Sequence, residues 1–223
     1  MFEYYGGKGN LVRWGYYPPP AHSTIIEPFC GAARYSLFYY RPGMRVILID
    51  ANPIIISVWE WLKSASEEDF LALPFVEHGE EIPRQDHPGA TAFLGFALNQ
   101  GSESPRNVAG KYTDRIRKLG WSRYLHNLRK IKTWEIICGD YTDAPDIDAT
   151  WFVDPPYSKQ SRYPYGRDID YSLLADFCQS RCGQVIVCEN SDAMWLPFRY
   201  LVDNKATQRK SSKLRNEGVW INS

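Results

Sequence analysis

The sequence predicts an α/β fold built on a mainly parallel sheet. Three observations carry that expectation. Five short runs are nearly continuous in apolar, often β-branched residues, the pattern of strands buried on both faces: TIIEPFC (24–30), MRVILID (44–50), TWEIICGD (133–140), TWFVDPP (150–156) and QVIVCEN (184–190). Segments of helical character lie between them, and alternation of strands with helices builds parallel units. The runs stop at acids or at a glycine turn: Glu27–Gly31, Asp50, Asp140, Asp154 and Glu189–Asn190. In an open parallel sheet those ends face one ligand crevice.

Each element follows in order. The glycine-rich opening YYGGKGNLV (4–12) lacks the spacing and the Lys-Ser/Thr ending of a phosphate loop. It suits either a flexible start or a lid over a ligand. The first strand turns through Gly31 into ARYSLFYYR, which has helical potential. After the second strand, NPIIISVWEWLKS (52–64) starts a helix with an N-cap asparagine and a first-turn proline, despite its β-branched residues. SEEDFLALP opens another helix, stopped at Pro74, and residues 75–89 are polar and broken by proline and glycine. ATAFLGFALNQ (90–100) is helical in character and GSESPRNVAGKYTD (101–114) is a loop. In WSRYLHNLRKIK (121–132), Trp121, Tyr124, Leu125, Leu128 and Ile131 recur at the spacing of an amphipathic helix. YSLLADFCQSRCG (171–183) predicts a helix ending in a glycine C-cap, and EGVWINS a closing strand.

A chain of 223 residues fits one generous domain, or one domain carrying an insertion. Formal net charge is zero, so the molecule as a whole does not announce a polyanionic partner. The charges are nevertheless segregated. Glu67, Glu68, Asp69, Glu77, Glu80, Glu81 and Asp86 precede a basic block of Arg106, Lys111, Arg115, Arg117, Lys118, Arg123, Arg129, Lys130 and Lys132. A second basic run holds Arg199, Lys205, Arg209, Lys210, Lys213 and Arg215. Each block is either a solvated face or a local nucleic-acid footprint. The five cysteines are scattered, without a histidine set to complete a zinc site, and are expected to be buried, inert thiols in a reducing cytosol. The start has no signal-peptide character and no apolar run is long enough to span a membrane, so the expectation is a cytoplasmic protein with no metal.

The stretch WFVDPPY (151–157) carries the most chemistry. A strand ends on Asp154, two prolines fix the backbone and withhold N–H groups, and Tyr157 follows. A carboxylate and a rigidly held Pro155 carbonyl are two acceptors for the two N–H bonds of an exocyclic amine. Tyr157 is a ring for stacking a base, an interaction worth about 1–3 kcal/mol. Asp50 is open to two readings, an acceptor for ribose hydroxyls or a helper of the helix that follows it.

These motifs resemble those of the Dam-like adenine-N6 DNA methyltransferases. Asp-Pro-Pro-Tyr matches their catalytic loop, EPFCGAAR (27–34) their methyl-donor loop, and YYGGKGNLV their N-terminal Gly-Gly-Lys motif, in the family's order from Tyr4 to about Asn222. The resemblance implies a Rossmann-like S-adenosylmethionine-dependent fold, with a seven-stranded sheet containing one antiparallel hairpin. It divides the chain into a catalytic domain (1–64 and 133–223) and a small, mostly helical target-recognition insert (65–132). It assigns Tyr4, Lys8, Glu27, Phe29, Gly31, Asp50, Asp140, Tyr141 and Asp154 to S-adenosylmethionine, and Asp154, Pro155, Pro156 and Tyr157 to catalysis on a flipped adenine of double-stranded DNA. The insert's Arg106, Lys111, Arg115, Arg117, Lys118, Arg123, Arg129 and Lys130 fall where the family contacts DNA. A bacterial or phage-encoded enzyme is implied. Ala33 stands where the family usually has a second glycine, which should reduce slack and leave binding intact. The insert shows no arginine-rich hairpin of the kind associated with GATC readers, so the target sequence is open. Cytosine-N4 methylation, RNA methylation and a non-catalytic relative are the alternatives.

Overall fold

The computed structural model describes residues 1–99, 101–158, 169–204 and 215–222. Seven strands form one sheet: β1 (Thr24–Glu27), β2 (Arg45–Asp50), β3 (Glu135–Cys138), β4 (Ala149–Val153), β5 (Gly183–Asn190), β6 (Arg199–Asn204) and β7 (Arg215–Ile221). Their order is β3-β2-β1-β4-β5-β7-β6. Strands β1 to β5 run parallel, and β7 lies antiparallel between β5 and β6. The α/β class, the mostly parallel seven-stranded sheet and its one antiparallel hairpin all match the expectation. The order reverses between β1 and β4, and it is beyond the carboxyl ends of such a pair that a crevice opens.

Helices cover the sheet: α1 (Gly9–Arg13), α2 (Arg34–Tyr39), α3 (Pro53–Ser64), α4 (Glu67–Leu71), α5 (Pro88–Ala97), α6 (Thr113–Leu119), α7 (Leu125–Ile131) and α8 (Tyr171–Ser180). Helix α3 starts as its sequence dictates: the Asn52 side chain accepts from Ile54 N–H at 3.0 Å, ahead of Pro53. Helix α4 opens on a capping box, in which Ser66 Oγ accepts from Asp69 N–H and Asp69 Oδ2 accepts from Ser66 N–H.

Side chains alternate across each strand and split the core in two. Ile25 and Leu48 join one apolar cluster with Trp59 and Phe152, whereas Ile26 and Ile47 join a second with Trp151, Val187 and Leu174. Residues 65–132 carry α4 to α7 separated by long irregular stretches, less helical than expected, and Phe70, Phe93, Phe96 and Trp121 merge into the first cluster with Phe2 and Trp61. This segment therefore shares the core of the sheet. A Cβ added at Gly89 of α5 would strike the Ser57 carbonyl of α3, so these helices meet backbone to backbone.

Several local expectations need correction. The opening is not merely a flexible start, because residues 9–13 form α1 with Leu11 and Val12 buried. Helix α6 begins where a loop was expected to continue, anchored by buried Thr113 and Ile116. Helix α8 ends at Ser180 with an extended Arg181. Gly183 is instead the first residue of β5, at φ +96°, where a side chain would strike the Ala149 backbone. Cys30, Cys178 and Cys188 are buried, but Cys138 and Cys182 are exposed, and all five are free thiols. Of the second basic run, Lys205, Arg209, Lys210 and Lys213 lie outside the described residues. No helix among the described residues is long and apolar enough to cross a membrane.

Candidate active site

The acid-terminated strands converge on one cleft of about 1260 Å³, part of it open to solvent. Tyr4 to Lys8 form one wall, Glu27 to Arg34 and Asp50 to Asn52 another, Gly139 to Tyr141 a third, and Asp154 to Tyr157 a fourth, with Asn190 and Glu217 at the back. Every residue assigned above to S-adenosylmethionine or to catalysis lines this cleft.

The glycine turn after β1 is held from three sides. Cys30 N–H donates to the Ile49 carbonyl at 2.9 Å, Gly31 N–H to Asp50 Oδ2 at 2.9 Å, and Trp59 Nε1–H to the Gly31 carbonyl at 2.8 Å. Gly31 sits at φ +43°, and a Cβ there would lie 2.9 Å from the Tyr4 ring. Glycine is thus demanded twice, by conformation and by the close approach of Tyr4. Ala33 is also left-handed, at φ 43° and ψ 48°, so the chain pays backbone strain at the position noted above.

Asp50 is a brace. Its Oδ1 accepts from Asn52 N–H at 2.9 Å while Oδ2 takes Gly31 N–H, so it ties the β1 turn to the start of α3, and Asn52 does the capping. Burial raises its pKa, against the pull of those N–H groups. Glu27 is 3% exposed and its Oε1 accepts from Ser36 N–H at 2.7 Å. Burial pushes its pKa up to about 8, so it is largely protonated at neutral pH. Phe29 stacks on Tyr141 with ring centroids 5.6 Å apart, and Asp140 Oδ1 accepts from Thr142 N–H at 3.2 Å.

At the fourth wall, Lys8 is buried and its Nζ meets Asp154 Oδ1 at 2.7 Å, the Gly6 carbonyl at 2.9 Å and Glu217 Oε1 at 3.8 Å. The same ammonium lies 4.7 Å from the centroid of the Tyr157 ring. Burial pulls the Lys8 pKa down, but the Asp154 and Glu217 carboxylates outweigh it and hold it above the ordinary lysine value. Burial raises Asp154 to about 6, with Lys8 opposing the rise. Tyr171 Oη–H donates to the Pro156 carbonyl, while among the described residues no donor meets the Pro155 carbonyl. Asp154 and the buried Pro155 both line the cleft beside Tyr157. Among the described residues, no group of His, Cys, Asp or Glu is arranged to hold a metal ion.

No family model and no curated protein matches the chain. A solved structure of a conserved hypothetical protein from Streptococcus pyogenes is similar over 97% of this chain and 96% of its own, at 10% identity and a TM-score of 0.41. A likeness at that level says nothing about the cleft.

The eight basic residues assigned above to DNA contact divide into two sets. Arg117 Nη1 pairs with Glu77 at 2.7 Å, Arg129 grips Glu67 through two bonds of 2.6 and 2.9 Å, and Lys130 Nζ donates to the Leu37 carbonyl at 3.1 Å. These three are engaged within the protein. Arg106, Lys111, Arg115, Lys118 and Arg123 are exposed and have no carboxylate partner among the described residues. Arg115 lies over the Tyr112 ring and Arg123 over Tyr124. Sequence reasoning missed Tyr17 and Glu217. The one available signal was an acid at the head of the apolar closing run.

Proposed function

We propose that the protein is a DNA methyltransferase acting on the N6 amino group of an adenine flipped out of the duplex, with S-adenosylmethionine as methyl donor. One observation carries the reading: Asp154, Pro155 and Tyr157 share a single cleft with the glycine turn, Asp50 and Lys8, at the switch point of a parallel sheet. The donor would lie along the wall where Tyr4 packs against the Gly31 turn and where the stacked Phe29 and Tyr141 line the cleft. Tyr4, Phe29, Gly31, Asp50, Asp140 and Tyr141 would hold it. When bound, S-adenosylmethionine supplies an electrophilic methyl group on a sulfonium.

The chain's own residues orient the acceptor. Tyr157 stacks the base, and extruding it costs a few kcal/mol of unpairing and unstacking. Asp154 accepts one amino hydrogen and the Pro155 carbonyl the other, which aims the nitrogen lone pair across the cleft. Asp154 must be ionised to accept, and Lys8 keeps it so. The cleft works by orientation and preorganised charge, with no covalent enzyme intermediate. The exposed Arg106, Lys111, Arg115, Lys118 and Arg123 would meet phosphates.

The test uses DNA from a host lacking adenine methylation, labelled S-adenosylmethionine and nucleoside analysis of the product. Wild type should yield N6-methyladenine, and Asp154→Ala should yield none while remaining folded. Full activity in Asp154→Ala sinks the proposal, and label in cytosine or only in RNA reassigns the acceptor.

A further inference from the structure

We propose that Glu217 is a positioning residue that fixes the ring of Tyr157 against which a base stacks. The proposal rests on the function proposed above and adds a part that the Asp-Pro-Pro-Tyr motif does not contain. Glu217 stands on β7 opposite Asn190 of β5, at the strand end that borders the cleft, and is 3% exposed. Its Oε1 accepts from Tyr17 Oη–H at 2.8 Å, and Tyr157 Oη–H donates to the same oxygen. Hydroxyl-to-carboxylate bonds are among the stronger hydrogen bonds of proteins.

Tyr17 is itself packed in the core. It is fully buried and meets Phe152 edge-on at 5.3 Å, and Phe152 is stacked on Tyr35 at 4.4 Å. Phe152 lies on β4, two residues before Asp154. The Tyr157 hydroxyl is therefore tied, through Glu217 and Tyr17, to the strand that delivers the acceptor carboxylate. Lys8 Nζ lies 4.7 Å from the centroid of the Tyr157 ring and 3.8 Å from Glu217 Oε1, so it occupies one side of the ring. Tyr157 also lines the cleft beside Asp154, so the fixed ring borders the space a base would enter. Ring and carboxylate are thus held in register by one buried oxygen, and a stacked base presents its amino group at a set height relative to Asp154.

Tyr157→Phe, Glu217→Ala, the double variant and Glu217→Gln test this, using methyl transfer to DNA from a host lacking adenine methylation together with calorimetric S-adenosylmethionine binding. Tyr157→Phe keeps the ring and loses the tether. It should lose about tenfold in kcat/KM for DNA, equivalent to about 1.4 kcal/mol, with donor affinity unchanged. Glu217→Ala should lose as much, and the double variant no more than either single variant, as expected for two residues acting through one contact. Glu217→Gln keeps an acceptor oxygen and should recover most of the loss. Wild-type kinetics in Tyr157→Phe, additive losses in the double variant, or a loss of donor affinity in step with activity would overturn the positioning role. A wild-type protein that methylates no nucleic acid overturns the proposed function and this proposal with it.

Discussion

Replacing Lys8 with methionine tests the electrostatics of the cleft most directly. Methionine nearly preserves the buried volume, so packing is disturbed little. What disappears is a cation 2.7 Å from Asp154 Oδ1. At that distance the attraction is about 1.5 kcal/mol if screened as in bulk water, and about 6 kcal/mol at an effective dielectric near 20. One pKa unit corresponds to about 1.4 kcal/mol. Asp154 already titrates at about 6 because burial raises it and Lys8 only partly compensates. Even the screened figure lifts it by about one unit, to about 7 or above. Glu217, left facing Asp154 without the shared cation, pushes the same way. A protonated Asp154 donates where it should accept, so activity is lost as pH falls through its pKa. The assay is the pH profile of kcat/KM for methyl transfer between pH 5 and 9. Wild type should show a rising limb near pH 6, and Lys8→Met the same limb displaced upward by at least about one unit. A variant limb at or below that of wild type, in a protein that still melts normally, would refute the reasoning.

Other expectations follow from the same geometry. Glu27 has a folded pKa of about 8 against an ordinary 4.5, so the native state binds the extra proton between those values and stability falls as pH rises through that window. Glu27→Gln keeps an acceptor for Ser36 N–H and should abolish that decline. Urea unfolding at pH 5 and pH 9 should then differ by about 3–5 kcal/mol less than in wild type, and equal slopes would refute it. Gly31→Ala forces a side chain into the left-handed region and against Tyr4, so it should cost about 1–2 kcal/mol of stability and weaken donor binding, measured by melting and calorimetry. Neutralising Arg106, Arg115 or Arg123 should each reduce the salt dependence of DNA binding by about one phosphate contact, whereas Arg129→Ala, which breaks only the Glu67 pair, should leave it unchanged.

The sheet and the cleft were legible in the sequence for a simple reason. A strand buried on both faces needs an uninterrupted apolar run, and an acid can follow only where the strand emerges. Glu27, Asp50 and Asp154 mark three such exits, whereas Asp140 follows β3, an edge strand with no buried residue despite its apolar run; parallel pairing carries all four acids to the same edge. Strand β6 had no such run. It pairs on one side only, and Arg199, Tyr200 and Asp203 are exposed. Helices α1 and α6 span 5 and 7 residues, too few for periodicity to declare itself, and are held by tertiary packing of Leu11, Val12, Thr113 and Ile116. The Tyr17–Glu217 contact joins residues 200 positions apart, and only the placement of β7 between β5 and β6 creates it.

The charge blocks show how folding changes the meaning of a sequence pattern. An acidic stretch followed by a basic one looks like two surfaces of opposite sign, the second poised for nucleic acid. In the fold they partly face each other: Glu67 meets Arg129 and Glu77 meets Arg117, across separations of 62 and 40 residues. Such exposed pairs add little stability, yet each removes an arginine from the charge a phosphate backbone could meet. Lys130 is withdrawn further, its ammonium spent on the Leu37 carbonyl at the end of α2. The basic face that remains is smaller than the sequence implies and concentrated on Arg106, Lys111, Arg115, Lys118 and Arg123. Under the function proposed above, a molecule of zero net charge would meet DNA only locally, so binding should be governed by these few side chains and by insertion of a base into the cleft.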